Sequence, residues 1–213
     1  MARPKEFDPE VVLDGAVEVF WRQGFEATSI DDLVAELGIS RQSLYATFGS
    51  KERLYQLALE RYRCREADRL LELLAADGLL APRLEALLHG MVDEMGSDSD
   101  CKGCFVVNAA TERLPGEEAT RRQVADQFAR LEEALKFAFR RAQLNGELAA
   151  DADPRSLARL ILAVLQGLRV MGKATPEPAL LADIAATTLA RLPFVDRGAE
   201  SPIPSSRHTS RVP

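Results

Sequence analysis

The chain of 213 residues lacks several features that mark whole classes of protein. Its three cysteines are an odd number and too few to cross-link a chain of this length, so we expect no disulfide framework. Its longest nearly apolar run, residues 157–171, is too short to cross a bilayer and contains two arginines and a glutamine. The first ten residues lack the apolar core of a secretory signal, which favours a cytoplasmic location.

The sequence also lacks any arrangement of residues that indicates an enzyme. It contains no phosphate-binding loop, dinucleotide fingerprint or nucleophile elbow, and its two histidines, His89 and His208, stand apart from any catalytic group. The cysteine pair in residues 101–104 has neither the further ligands of a zinc site nor the strand and helix of a thioredoxin-like site. We therefore expect no catalysis, no cofactor and no metal.

Positive charge is scarce overall and concentrated at one place. The formal net charge is −6, which argues against a protein that coats nucleic acid or anionic lipid through its bulk charge. Residues 38–55 nevertheless hold three basic residues, Arg41, Lys51 and Arg53, against Glu52 alone.

Apolar residues recur at helical spacing nearly everywhere, which predicts an all-α protein. The expected helices occupy residues 9–23, 29–37, 41–47, 51–75, 82–95, 104–113, 117–144, 154–171 and 177–192. We expect an N-terminal domain of three helices over residues 1–50 and a larger helical domain over residues 51–193. Residues 194–213 lack apolar periodicity, so they are expected to form a disordered tail.

Residues 28–54 read TSIDDLVAELGISRQSLYATFGSKERL, which is a helix-turn-helix pattern. Thr28 or Ser29 can cap the first helix, and Ser40 can cap the second after a turn that contains Gly38. The positions that would pack the two helices together are all apolar: Leu33, Val34, Leu37, Ile39, Leu44 and Phe48. The polar residues of the second helix are left facing outward.

These outward residues are the hydrogen-bonding types that DNA requires. The first residues of a recognition helix reach deepest into the major groove, so Arg41, Gln42 and Ser43 are predicted to contact base edges. Four further residues are predicted to contact phosphates: Thr28, Tyr45, Thr47 and Lys51. Lys51 suits this role because it begins a helix, where free backbone N–H groups favour an anion.

The same stretch resembles the DNA-binding domain of the TetR family of transcriptional regulators. The resemblance rests on Gly-Phe before the Thr-Ser cap, the Gly-Ile-Ser turn, Leu-Tyr-x-x-Phe in the short helix and Ser-Lys-Glu after it. It implies that the seven residues named above occupy DNA-contacting positions. Ala46 stands where the family often has an aromatic or polar residue, so no backbone contact is expected there.

The helix predicted over residues 154–171 is apolar around most of its circumference and must be buried on more than one side. Its small residues Ala163 and Gly167 permit close approach of another helix, and Ala185, Ala186 and Leu189 offer a matching face. These residues predict a four-helix homodimer interface, which the family resemblance also implies, and a dimer would read a palindromic operator in double-stranded DNA. The alternative is a purely intramolecular core.

A candidate sensor lies near the middle of the chain. Cys104, Asn108 and Thr111 fall at i, i+4 and i+7, so they form a polar stripe that can line a pocket if the helix begins at Cys104. A helix start and neighbouring Lys102 favour the reactive thiolate form of a cysteine, although Cys104 can equally be a small buried hydrophobe. Gly103-Cys104 followed by an apolar pair and Asn108 resembles a TetR subgroup that includes repressors responsive to electrophiles and oxidants.

Two hypotheses of different classes follow. The first is a homodimeric repressor that a small-molecule or thiol-reactive signal releases from DNA, through a swing of the long helix that begins at Lys51. The second is a helical small-molecule-binding protein that does not bind DNA.

Overall fold

The computed structural model of the chain describes residues 7–97, 102–175 and 177–195. Over this part the protein is all-α, as the sequence predicts, with one isolated backbone bridge between Leu148 and Phe194. Its helices are α1 (Pro9–Gln23), α2 (Ile30–Leu37), α3 (Arg41–Phe48), α4 (Lys51–Ala75), α5 (Leu80–Ser97), α6 (Phe105–Arg113), α7 (Glu118–Leu144), α8 (Pro154–Ala174) and α9 (Pro178–Arg191). None of the helices in these ranges is long and apolar enough to cross a membrane.

Local sequence signals explain where the first four helices begin. Asp8 accepts a hydrogen bond from the backbone of Glu10 at the start of α1, and Ser40 and Ser50 cap α3 and α4. Ser29 forms a capping box with Asp32 at the start of α2. Gly38 ends α2 with a φ of 64°, a left-handed conformation that glycine adopts without steric cost.

The apolar residues form two cores that share helix α4. The first core contains α1, α2 and α3, and it also includes Leu54 to Tyr62 of α4 and the start of α6. The second core combines the rest of α4 with α5, α7, α8 and α9. Helix α4 therefore belongs to both cores, because its buried residues Leu54, Tyr55, Leu59 and Tyr62 pack against α1 before Leu70 and Leu74 enter the second core.

Two residues of the predicted tail, Phe194 and Val195, lie within the described part of the chain. Phe194 stacks on Phe139, with ring centroids 6.4 Å apart, and the backbone N–H of Val195 donates to Glu147 O at 2.8 Å. Both residues are thus held against the second core. The remainder of the predicted tail, residues 196–213, lies outside the described residues, as does Cys101.

Candidate functional site

Helix α3 presents its polar side chains outward. Arg41, Gln42 and Tyr45 are exposed, while Ser43 and Thr47 are half-buried. On the opposite side Leu44 and Phe48 are buried in the first core. All five polar residues predicted from the sequence to face DNA on this helix therefore have accessible surface.

Arg41 forms an ion pair with Asp31 of α2, and both side chains are exposed. Exposed ion pairs are weak, so the guanidinium can exchange Asp31 for a stronger acceptor without a large loss of stability. The pair holds the guanidinium at the amino end of α3, which is the end that enters a DNA groove in helix-turn-helix proteins.

Two of the residues predicted to contact phosphates form hydrogen bonds within the chain. Thr28 has no exposed surface, and its hydroxyl donates to Gly24 O at 2.5 Å, so the side chain does not face solvent. Lys51 is half-buried; its ammonium donates to Thr28 O at 2.6 Å and lies 4.1 Å from the centroid of the Phe25 ring. Both side chains therefore bind to the loop before α2.

The end of α6 holds the loop between α1 and α2. The Glu112 carboxylate accepts hydrogen bonds from the backbone N–H groups of Phe25 at 3.0 Å and Glu26 at 2.8 Å. The Arg113 guanidinium donates to Glu26 at 3.2 Å and to Glu52 at 2.7 Å, and its central carbon lies 3.9 Å from the Phe25 ring centroid. The contacts with Phe25 and Glu26 join residues more than 80 positions apart, and no local pattern indicated them.

A cavity of about 430 Å³ lies where the two cores meet. Its volume is in the range of about 300–1,000 Å³ that is usual for small-molecule sites. Its walls come from five helices and from the residue before α6: α4, α5, α7 and α8 supply most of the surface, and Cys104 and Val106 complete it. A second cavity of about 250 Å³ shares several wall residues with the first and extends to Trp21 of α1.

The polar side of the main cavity contains an ion pair and a tyrosine. Arg169 of α8 donates to Glu66 of α4 at 2.6 Å, and both side chains are about four-fifths buried. Burial first, and then neighbouring Cys104, raise the pKa of Tyr62 well above its usual value, so the hydroxyl keeps its proton at neutral pH. The Tyr62 ring packs against Trp21, with centroids 4.9 Å apart, and against Phe105 at 5.6 Å. Tyr62 thus joins the cavity wall to α1 and α6.

Of the predicted sensor stripe, the cavity includes Cys104 but not Asn108 or Thr111. Cys104 is 3% exposed, and its backbone is extended because it precedes the first turn of α6. The helical spacing assumed from the sequence therefore does not begin at this residue. Asn108 donates to Lys102 O at 2.9 Å and accepts from Lys173, while the Thr111 hydroxyl donates to Val107 O at 3.1 Å within its own helix.

The Lys102 ammonium pairs with Glu18 of α1 at 3.0 Å and lies 4.3 Å from the Trp21 ring centroid. These contacts join the Lys102 side chain to α1. Trp21 also donates from its indole nitrogen to Gly103 O at 3.0 Å, which ties the segment before α6 to α1.

The outer face of α8 is apolar and accessible. Leu160, Ala163, Gly167, Val170 and Met171 are exposed on it and repeat at helical spacing. A Cβ atom at Gly167 would meet no heavy atom within 4 Å.

The predicted interface residues on α9 differ in their exposure to solvent. Ala186 is exposed and Leu189 is half-buried, but Ala185 has no exposed surface because it packs into the second core of its own chain. This corrects the assignment of Ala185 to an intermolecular face.

Comparison with known proteins agrees with this architecture. Residues 12–58 match the family model for bacterial regulatory proteins of the tetR family, and residues 81–188 match the model for the tetracyclin repressor-like C-terminal domain. The chain is 34% identical over 184 residues to the uncharacterized HTH-type transcriptional regulator YezE of Bacillus subtilis, covering 86% of this chain and 95% of that protein. It is 31% identical to the HTH-type transcriptional repressor ComR of Escherichia coli, covering 88% and 90% of the two chains.

Solved structures include a similar protein on DNA. A cysteine mutant of the TetR family transcriptional regulator CifR, complexed with 26-bp double-strand operator DNA, is 32% identical and has a TM-score of 0.81. The match covers 90% of this chain and 100% of that chain. Helix order, helix-turn-helix geometry and sequence agree over both domains, and the chain therefore belongs to the TetR family of DNA-binding transcriptional regulators.

Proposed function

We propose that the chain is a homodimeric repressor that leaves a palindromic operator when a small-molecule or thiol-reactive signal acts at the cavity between its two cores. The observation that carries the proposal is the accessible polar side of α3, which is rigidly seated on a buried core. Relatives named as repressors, ComR and BdcR of Escherichia coli, support the direction of regulation.

Within this proposal, Arg41 and Gln42 contact base edges in the major groove, because they are the exposed residues at the leading end of α3. Ser43, Tyr45 and Thr47 follow on the same helix and contact the sugar-phosphate backbone. Thr28 and Lys51 act indirectly, since their hydrogen bonds fix the loop that orients α2 and α3.

The proposed dimerisation is supported by the low positive charge of one chain and by an exposed apolar face on α8. A chain with a net charge of −6 neutralises few phosphates by itself, so useful affinity requires two recognition helices. The exposed apolar face of α8, with Ala163 and Gly167 at its centre and Ala186 of α9 beside it, provides a surface on which a second copy can pack. A two-fold dimer places its recognition helices about 34–36 Å apart, or at a multiple of that spacing.

The signal acts where the two cores meet. Tyr62 and Cys104 line the cavity and belong to the first core, whereas Leu70 and Leu165 line it from the second. A compound that binds here, or modifies the Cys104 thiol, changes how the cores pack. The contacts of Tyr62 with Trp21 carry that change to α1. Release then requires that the signal bind the DNA-incompetent arrangement more tightly than the competent one.

The DNA assignment is tested by fluorescence anisotropy with duplexes from the region upstream of the chain's own gene. Arg41→Ala and Gln42→Ala are each expected to reduce discrimination between operator and mutated operator by about five- to a hundredfold, as one bidentate base contact implies. Arg121→Ala is the matched control, because Arg121 is a half-exposed arginine on α7. Unchanged discrimination in both α3 variants would refute these roles.

The dimer is tested by sedimentation of Gly167→Glu, which places a charge in the open space at the centre of the α8 face. We expect monomers and a large loss of operator affinity. A variant that remains a dimer would contradict the proposed interface.

The sensing role of Cys104 is tested by release of operator DNA with a thiol-reactive quinone. Cys104→Ser is expected to abolish release while the wild type and Cys64→Ser respond. Cys64 is a suitable control because burial, and then its hydrogen bond to Glu60, raise the pKa of its thiol and keep it protonated. Equal release from wild type and Cys104→Ser would eliminate Cys104 as the switch and leave non-covalent occupancy of the cavity.

A further inference from the structure

We infer that the ligand of the main cavity is an uncharged, largely apolar molecule that donates one hydrogen bond to the side-chain carbonyl of Gln127. The inference rests on the proposed function in taking this cavity as the effector site. It adds the chemical class of the effector, which follows from three properties of the wall.

The first property is the apolar surface. Leu70 and Leu73 of α4, Leu87 and Met91 of α5, and Phe128 and Leu131 of α7 face one another across the cavity. A ligand that covers these side chains gains the hydrophobic contribution of about 25 cal/mol per Å² of apolar surface removed from water. Methionine among them adapts its shape, so the wall tolerates rings as well as chains.

The second property is the charge balance of the wall. Its ionisable side chains include two acids and two bases that pair with one another. Glu66 lies 2.6 Å from Arg169 and 3.4 Å from Arg69, and Arg69 lies 3.8 Å from Glu94. A carboxylate or ammonium that enters loses its hydration and meets an opposite charge that already has a partner. The cavity therefore disfavours ions of either sign.

The third property is a buried glutamine in the wall whose side-chain oxygen has no partner. Gln127 of α7 is 3% exposed, and its Oε1 atom is buried without a hydrogen bond. The other buried side-chain atoms of this kind in the described part of the chain belong to Tyr55, Arg113 and Gln123, none of which lines the cavity. An amide oxygen accepts hydrogen bonds, so the ligand that satisfies it carries a hydroxyl or N–H donor.

The test uses isothermal titration calorimetry of the full chain with matched probes. The probes are 4-tert-butylphenol, its methyl ether 4-tert-butylanisole and 4-tert-butylbenzoate, together with 1-naphthol, 1-methoxynaphthalene and 1-naphthoate. The first three probes share a tert-butylphenyl group and the last three share a naphthyl group. Within each set the polar group is in turn a hydroxyl that donates a hydrogen bond, a methyl ether that does not, and a carboxylate anion. We expect the phenol or naphthol to bind about three- to tenfold more tightly than its ether, as one neutral hydrogen bond implies, and the anion to bind least.

Two glutamine variants identify the acceptor. Gln127→Leu removes the carbonyl and is expected to bring the affinities for phenol and ether within twofold of each other. Gln166→Leu makes the same change at another cavity-lining position on α8 and is expected to keep the wild-type ratio. Circular dichroism of both variants verifies that the helices are intact.

Four results would overturn the inference: equal binding of phenol and ether to the wild type, tighter binding of an anion, equal effects of the two glutamine variants, or no binding of any probe. Operator binding measured on the same preparations separates this failure from failure of the proposed function. If an anion releases the chain from DNA, only the ligand class is wrong. If no DNA binds, the proposed function fails whatever the probes do.

Discussion

The contact between Arg113 and the loop after α1 offers the sharpest test of how the two parts of the molecule are joined. The side chain of Arg113 is 10% exposed and covers the Phe25 ring, and it pairs with Glu26 and Glu52. Arg113→Met keeps an unbranched apolar side chain over the ring and removes the charge. The variant therefore isolates the electrostatic part of the contact.

The magnitude follows from the exposure of each partner. Glu26 and Glu52 are 73% and 42% exposed, so each ion pair contributes about 0.2–1 kcal/mol. The cation–π contact with Phe25 contributes about 0.5–2 kcal/mol, since the ring lies against a largely buried guanidinium. We expect the free energy of unfolding to fall by about 1–4 kcal/mol.

Urea unfolding followed by circular dichroism measures this change. With a slope of about 2 kcal/mol per molar, the midpoint should fall by about 0.5–2 M. Hydrogen exchange should also accelerate at the backbone amides of Phe25 and Glu26, whose acceptor Glu112 adjoins the altered residue. Arg121→Met is the control, because its ion pair with Glu118 lies on one exposed helical turn. A midpoint unchanged from the wild type would refute the reasoning.

Three further perturbations test individual contacts. Thr28→Val removes the buried hydroxyl bonded to Gly24 O and should lower stability by about 1 kcal/mol in urea unfolding, whereas an unchanged midpoint would show that the bond contributes nothing. Lys51→Met should weaken DNA binding without changing the slope of log affinity against log salt, because its ammonium binds Thr28 O; a slope smaller by about one would instead indicate a phosphate contact. The hydrogen bond from Arg61 lowers the pKa of Asp14 below 3.8, so its stabilisation is present above about pH 4 and is lost as pH falls through the lowered pKa. Asp14→Asn should therefore be less stable than the wild type at pH 7, and the difference should narrow below pH 4; a constant difference would contradict this linkage.

The sequence by itself determined the local structure of the DNA-binding part. Ser29, Ser40 and Ser50 each bond to backbone N–H groups within three residues, and Gly38 ends α2 through its own conformational freedom. Interactions this short in sequence can be recognised from spacing alone. For the same reason the accessible side of α3 was predictable, because a helix of known register fixes which residues face the core.

Predictions from residue spacing were wrong where the position of a side chain depends on partners that are distant in sequence. The polar stripe from Cys104 to Thr111 was expected on one helical face, but Cys104 precedes the helix and turns into a cavity that Asn108 does not reach. Ala185 was expected at an outer face, but packing between helices places it in the core of its own chain.

Only the tertiary structure decided where Lys51 points and which side chains meet at the cavity. The ammonium of Lys51 donates to the carbonyl of Thr28, 23 residues away in the sequence. The ion pair of Glu66 with Arg169 joins positions 103 residues apart. Hydrogen bonds and desolvation at such sites depend on how helices cross, and helical periodicity fixes the face of each helix but not its neighbour. The sequence therefore determined which side chains of α3 are accessible, and the packing of α4 against α6, α7 and α8 determined where the cavity lies.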